Sequence, residues 1–109
     1  MNINVSEHAS VTLVEVSGRI DSMNANQLGE ALSNTIDGGH LNTVLDLANV
    51  EYMSSAGLRE IVSALKKVRG KGDVRLAQPS HRVREVLEIA GLDTIFQIYP
   101  TQAGAVGSY

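Results

Sequence analysis

The sequence predicts an α/β fold: a mixed, mostly parallel sheet of about five strands in the order β-β-α-β-α-β-α-β, with helices packed on it. Three observations lead there. Short aliphatic runs at residues 11–18, 43–47, 74–77 and 95–99 alternate with stretches in which apolar residues recur every three or four positions, the two periods that separate strands from amphipathic helices. Each helical stretch is closed by glycine, at Gly38-Gly39, Gly70 and Gly91. Strands alternating with helices require right-handed crossovers, and hence parallel neighbours.

Ile3 and Val5, then Val11, Leu13, Val14 and Val16, read as two strands joined through the polar segment 6–10, a hairpin that adds an antiparallel edge. Over residues 22–36, Ala25, Leu28, Ala31, Leu32 and Ile36 share one helical face. Asp21 and Ser22 are both suitable N-caps, because a short oxygen-bearing side chain can accept an orphan backbone N–H. Residues 43–47 form a nearly continuous aliphatic run, the pattern of a strand buried on both faces. A second helix follows over 56–69 with Leu58, Ile61, Val62, Leu65 and Val68 inside, then a strand at 74–77. Pro79-Ser80 starts a third helix with Val83, Val86, Leu87 and Ala90 on its inner stripe, and residues 95–99 make the last strand before Pro100. The tail, 102–109, has two glycines and little amphipathic pattern, so a fourth helix there is expected to be short or frayed. Residues 1–109 thus read as a single domain with its core in about 2–101.

At 109 residues, 43% hydrophobic and 19% charged, the chain has room for one core and is too ordinary in composition for disorder. With a net charge of −3 and basic residues clustered no further than 66–71, a run read as a solvated helix end, no nucleic-acid partner is expected. The absence of cysteine excludes disulfides, zinc-thiolate sites, thiol catalysis and iron–sulfur clusters. No basic segment followed by an apolar run opens the chain, and no apolar stretch approaches the ~18 residues of a membrane span. The expectation is a soluble cytoplasmic protein, with no cofactor, no metal and no direct insertion into a membrane.

Candidate chemistry lies in residues 49–58, between the third strand and the second helix, since the carboxyl ends of strands in open α/β sheets are where ligands and partners meet the fold. Two hydroxyls, Ser54 and Ser55, stand there at a helix N-terminus. Either serves as a plain N-cap, worth ~1 kcal/mol. A serine nucleophile does not fit: the hydrolase elbow requires Gly-x-Ser-x-Gly, whereas Met53 precedes the pair and Gly57 falls two residues after Ser55. Nothing in the spacing brings His8, His40 or His81 to the serines, and no enzymatic activity is expected. The remaining possibility is a regulatory hydroxyl. A phosphate at a helix N-terminus is favoured by the helix dipole, yet adds about −1.5 to −2 charge to a docking surface.

The segment Tyr52-Met53-Ser54-Ser55-Ala56-Gly57-Leu58 resembles the signature loop of the anti-sigma factor antagonist family, the stand-alone bacterial STAS domains. Gly18-Arg19-Ile20-Asp21 resembles the family's Gly-x-hydrophobic-Asp, Val44-Leu45-Asp46-Leu47 its third strand, and Ala90-Gly91-Leu92 its small-Gly-Leu turn. The resemblance spans residues 2 to about 101. Carried over by position, it implies Ser55 as the phosphoacceptor, with Ser54 standing where the family usually has Asp and Ala56 where it has a second hydroxyl residue. It implies a partner-binding surface of Asp21, Met53, Ser54, Ser55, Ala56 and Gly57.

By the same resemblance, the unmodified form binds an anti-sigma factor serine kinase and frees the sigma factor, phosphorylation releases the antagonist, and a metal-dependent serine phosphatase resets it, in a pathway that regulates transcription. A monomer is expected. The alternative is a STAS subunit of a transporter complex or signalling scaffold without a phosphate cycle. No Gly-rich phosphate loop is present; Gly70-Lys71-Gly72 reads as a helix C-cap. Asp21 either caps the first helix or lies beside the loop and orients the acceptor hydroxyl. Asp46, inside an apolar strand, needs hydrogen-bond partners and reads as structural. Met23 and Met53 flank the same edge, as core filler or as an adaptable docking surface.

Overall fold

The computed structural model describes residues Met1–Tyr109. Period-two alternation closes a hairpin: β1 (Asn2–His8) pairs antiparallel with β2 (Val11–Ile20). Only Ala9 and Ser10 remain in the turn, with Ala9 at φ +56°, a left-handed conformation that costs an L-residue about 1–2 kcal/mol but matches the twist of a tight hairpin.

Then come α1 (Ala25–Asp37), β3 (Asn42–Met53), α2 (Ser55–Val68), β4 (Asp73–Ala77), α3 (His81–Ile89), β5 (Ile98–Tyr99) and α4 (Gln102–Gly107). The sheet runs β1-β2-β3-β4-β5, with every pairing after the hairpin parallel. The expected fold class is therefore the observed one.

Besides α1, which starts at Ala25 where the pattern opened at residue 22, three elements differ from expectation. β3 continues to Met53 where the sequence pattern ended at residue 47, because it carries two bulges against β2. Glu15↔Asp46 is followed by Ser17↔Asn49, and Gly18↔Val50 by Arg19↔Tyr52, so β3 gains one extra residue at each step and its alternation is scrambled. The last strand keeps only two of the five expected residues, since a 3-10 turn (Leu92–Thr94) follows the left-handed Gly91 and Phe96 turns into the core. The tail is not an appendage. α4 is short, as expected, but Ala105 is fully buried.

The sheet has two unequal faces. Val14, Val16, Leu45, Leu47, Val74 and Leu76 pack under α1, α2 and α3 with Leu28, Leu32, Ile61, Val68, Val83 and Leu87; each fully buried aliphatic side chain contributes ~2 kcal/mol. The opposite face presents Val11, Leu13, Val44 and Ala77, and Ala105 closes over them.

Polar contacts fasten α4 at both ends. Gln102 Nε2 donates to Asp46 Oδ2 at 2.7 Å. Arg75 Nη1 donates to Ser108 O at 2.7 Å, and its guanidinium lies 4.0 Å from the Tyr109 ring centroid. The Tyr109 hydroxyl lies 2.6 Å from Thr43 O and 2.7 Å from Asp73 O. Asp46 also accepts from Ala48 N at 2.9 Å and from Gln78 Nε2 at 3.1 Å, so this buried carboxylate is spent on joining β3, the residue that follows β4, and α4.

One close approach sets where α2 begins. A Cβ on Gly57 would sit 2.7 Å from Ile20 Cγ2 and 3.1 Å from Met53 Cγ, closer than carbon atoms pack. Gly57→Ala should therefore cost about 1–3 kcal/mol in denaturant unfolding through overpacking; a cost below a few tenths of a kcal/mol would show that the contact yields.

Burial, and then the charge of Asp73, push the Tyr109 phenol well above its ordinary value. The folded state thus favours the neutral phenol. Its contribution is complete below pH ~10, where unfolded tyrosine is also neutral, and declines above it. Wild-type stability should fall from pH ~10 upward more steeply than that of Tyr109→Phe, which at pH 7 should be about 1 kcal/mol less stable. Superimposable alkaline slopes in urea melts would contradict this.

Candidate functional site

The parallel strands deliver the ends of β2 and β3 side by side, and the two serines follow directly. Ser54 N donates to Ile20 O at 2.8 Å, tying the start of α2 to the end of β2. Ser54 is the N-cap: its Oγ accepts from Gly57 N at 3.2 Å, which assigns to it the capping role that spacing left open between the two residues. Ser55 is the first helical residue, exposed, and its hydroxyl has no hydrogen-bond partner in the chain. No acidic side chain occupies the first turn of α2, and Lys66 and Lys67 lie in its last, so the N-terminus keeps its partial positive charge.

Of the other residues expected at the docking surface, Ala56 is half-buried and packs on the core, and Gly57 is buried. Met53 is only 2% exposed; its Cγ sits beside Gly57 and the side chain belongs to the core, so it shapes the surface from beneath and does not form it.

Asp21 neither holds the N-cap position of α1 nor hydrogen-bonds Ser55. Asn24 holds the N-cap position of a helix that starts three residues later than expected. Asp21 Oδ1 accepts from Met23 N at 2.9 Å and Asn24 N at 3.0 Å, while Asn24 Oδ1 accepts from Asp21 N at 2.9 Å. The two side chains lock the turn 21–24 reciprocally. Sequence periodicity could not find this, since Ser22 is as good a cap by residue type as Asn24.

Two further features mark this edge: Met23, read from the sequence as core filler or docking surface, is not core filler, and a contact between Arg19 and Tyr52 had no sequence signal. Met23 is 86% exposed. Arg19 lies 4.5 Å from the Tyr52 ring centroid, a cation–π contact made possible by the bulge that sets the two residues opposite each other. The histidines are dispersed: His8 meets Ser6 at 3.1 Å, His40 meets Glu7 at 3.0 Å and His81 meets Glu85 at 2.7 Å. None forms a pair with Ser54 or Ser55. No helix is long and apolar enough to cross a membrane.

Known proteins share this fold. The STAS domain family model matches residues 2–105. The chain is 32% identical along its whole length to BtrV of Bordetella bronchiseptica, named as an anti-sigma factor antagonist, and spans 95% of that protein. It is 30% identical to the anti-sigma-B factor antagonist of Bacillus subtilis, over 97% of each chain. The crystal structure of an anti-sigma factor antagonist from Mycobacterium paratuberculosis superposes with a TM-score of 0.92 at 28% identity, covering 98% of this chain and 92% of that one. With the family model matching nearly the whole chain and full-length relatives at 30% identity or more, the chain belongs to the STAS-domain family of anti-sigma factor antagonists.

Proposed function

We propose that the chain is the switched component of a partner-switching pathway. Unphosphorylated, it binds an ATP-using anti-sigma factor kinase and frees the sigma factor; the kinase phosphorylates Ser55 and is released; a metal-dependent serine phosphatase restores the docking form. In this reading the chain is a substrate and ligand of enzymes, not a catalyst, and works as a cytoplasmic monomer.

The supporting observation is the division between the serines. Ser54 Oγ is engaged by Gly57 N at 3.2 Å, whereas Ser55 Oγ is exposed and unengaged. In the transfer, Ser55 Oγ forms a bond to the γ-phosphorus of ATP, the bond to the β-phosphate oxygen breaks, ADP leaves, and the hydroxyl proton passes to a base of the kinase. The product phosphate lies over free N–H groups and the positive end of α2, so the domain stays folded. Its added charge of about −1.5 to −2 falls on a docking surface that already carries Asp21. A partner that had packed there is expelled by desolvation and like-charge repulsion.

Incubation with the kinase and ATP should add one phosphate, about 80 Da, to the wild type and none to Ser55→Ala. Ser54→Ala should still be phosphorylated while losing ~1 kcal/mol of stability with its cap. Labelling that persists in Ser55→Ala would overturn the assignment. Ser55→Asp should bind the kinase at least ~2 kcal/mol more weakly than wild type in calorimetric titration; equal affinity would refute the charge mechanism.

A further inference from the structure

A second feature of this edge concerns how the partner is held. We propose that Met23 is the anchor of the kinase complex, its thioether entering an apolar socket of the kinase beside the phosphoryl-transfer cleft. This rests on the reading that a kinase docks at the Ser55 loop.

Met23 is 86% exposed, whereas Met53, on the same edge, is 2% exposed. Leaving a methionine in water forgoes roughly 2 kcal/mol of burial, and nothing in the fold requires the residue to be apolar. Yet its backbone is firmly held. Asp21 Oδ1 accepts from Met23 N and Asn24 N, Asn24 Oδ1 accepts from Asp21 N, Asn24 Nδ2 donates to Arg19 O at 2.9 Å, and Ala25 N donates to Asp21 O at 3.0 Å. The Ser54 N to Ile20 O bond places this turn next to the serine pair.

A fixed backbone removes most of the ordering cost of binding and leaves only side-chain torsions to settle. The unbranched thioether adapts to the shape of its socket. The polar groups on the same edge, Asp21 and Asn24 in the turn and Ser54 and Ser55 across the Ser54 N to Ile20 O bond, supply the rim that an apolar hot spot needs. Ile89 is as exposed, at 88%, but it ends α3 beside the cleft of Leu58, Val62, Ala90 and Leu92, away from the locked turn.

The test is titration of the labelled chain with the purified, ADP-loaded anti-sigma factor kinase of the same organism. Met23→Ala and Met23→Gln should raise Kd about tenfold, and Met23→Leu should restore it to within about twofold. Thermal unfolding should not change, and in phosphorylation assays KM should rise with kcat retained. Wild-type Kd for Met23→Ala, Leu as damaging as Ala, or no binding by the wild type would each overturn the proposal. The two readings separate cleanly. Weakened binding with phosphate placed elsewhere than Ser55 removes the phosphoacceptor and keeps the anchor; Ser55 labelling with unmoved affinity removes the anchor alone.

Discussion

Helix α2 can lie against the ends of β2 and β3 only because residue 57 has no Cβ. A Cβ there would sit 2.7 Å from Ile20 Cγ2 and 3.1 Å from Met53 Cγ, so its absence lets the first turn of the helix come down onto the sheet. From that depth Ser54 N reaches Ile20 O, and Ser54 Oγ turns back to cap the helix. With one hydroxyl consumed, the next residue necessarily stands at the first helical position, facing out. The contrast between an engaged and a free serine is thus a packing result before it is a chemical one, and the locked turn at 21–24 inherits its place from the same junction.

The two ends of the sheet are used differently. At the amino ends of the parallel strands, Tyr109 bonds to backbone of β3 and β4, and Arg75 holds Ser108; this polar clasp keeps α4 over the second apolar cluster. At the carboxyl ends lie the exposed serine and methionine. A charge arriving at Ser55 would therefore land on the rim and need not disturb the interior, as the proposed phosphate cycle requires.

The sequence was readable wherever one period held. The stripes of α1 and α2 and the apolar run of β3 gave element type and order correctly, because burial selects the same residue types that periodicity detects. Reading failed where local geometry broke the period. Bulges at Glu15/Ser17 and Gly18/Arg19 hid the second half of β3, and reciprocal side-chain bonds between Asp21 and Asn24 delayed α1. In the site, residue types located the serine pair, but Ser54 and Ser55 are equivalent as caps on spacing alone; only the Gly57 contact separates them. Met53 and Met23 are chemically identical, and their opposite exposures follow from strand register and turn geometry, neither of which is encoded in a single residue.

The bulges of β3 also bear on how this segment can vary. Each adds one residue to β3 relative to β2, and together they decide that Met53 points into the core while Tyr52 lies under Arg19. Exposed positions such as Asn49 and Glu51 can exchange side chains without altering that choice. A one-residue deletion between Asp46 and Met53 would shift which residues face the core at the end of β3 and take Met53 from its place beside Gly57. The exposed positions of the stretch leading to the serine pair are therefore free in composition while its length is fixed, and divergence there should proceed by substitution and not by insertion or deletion.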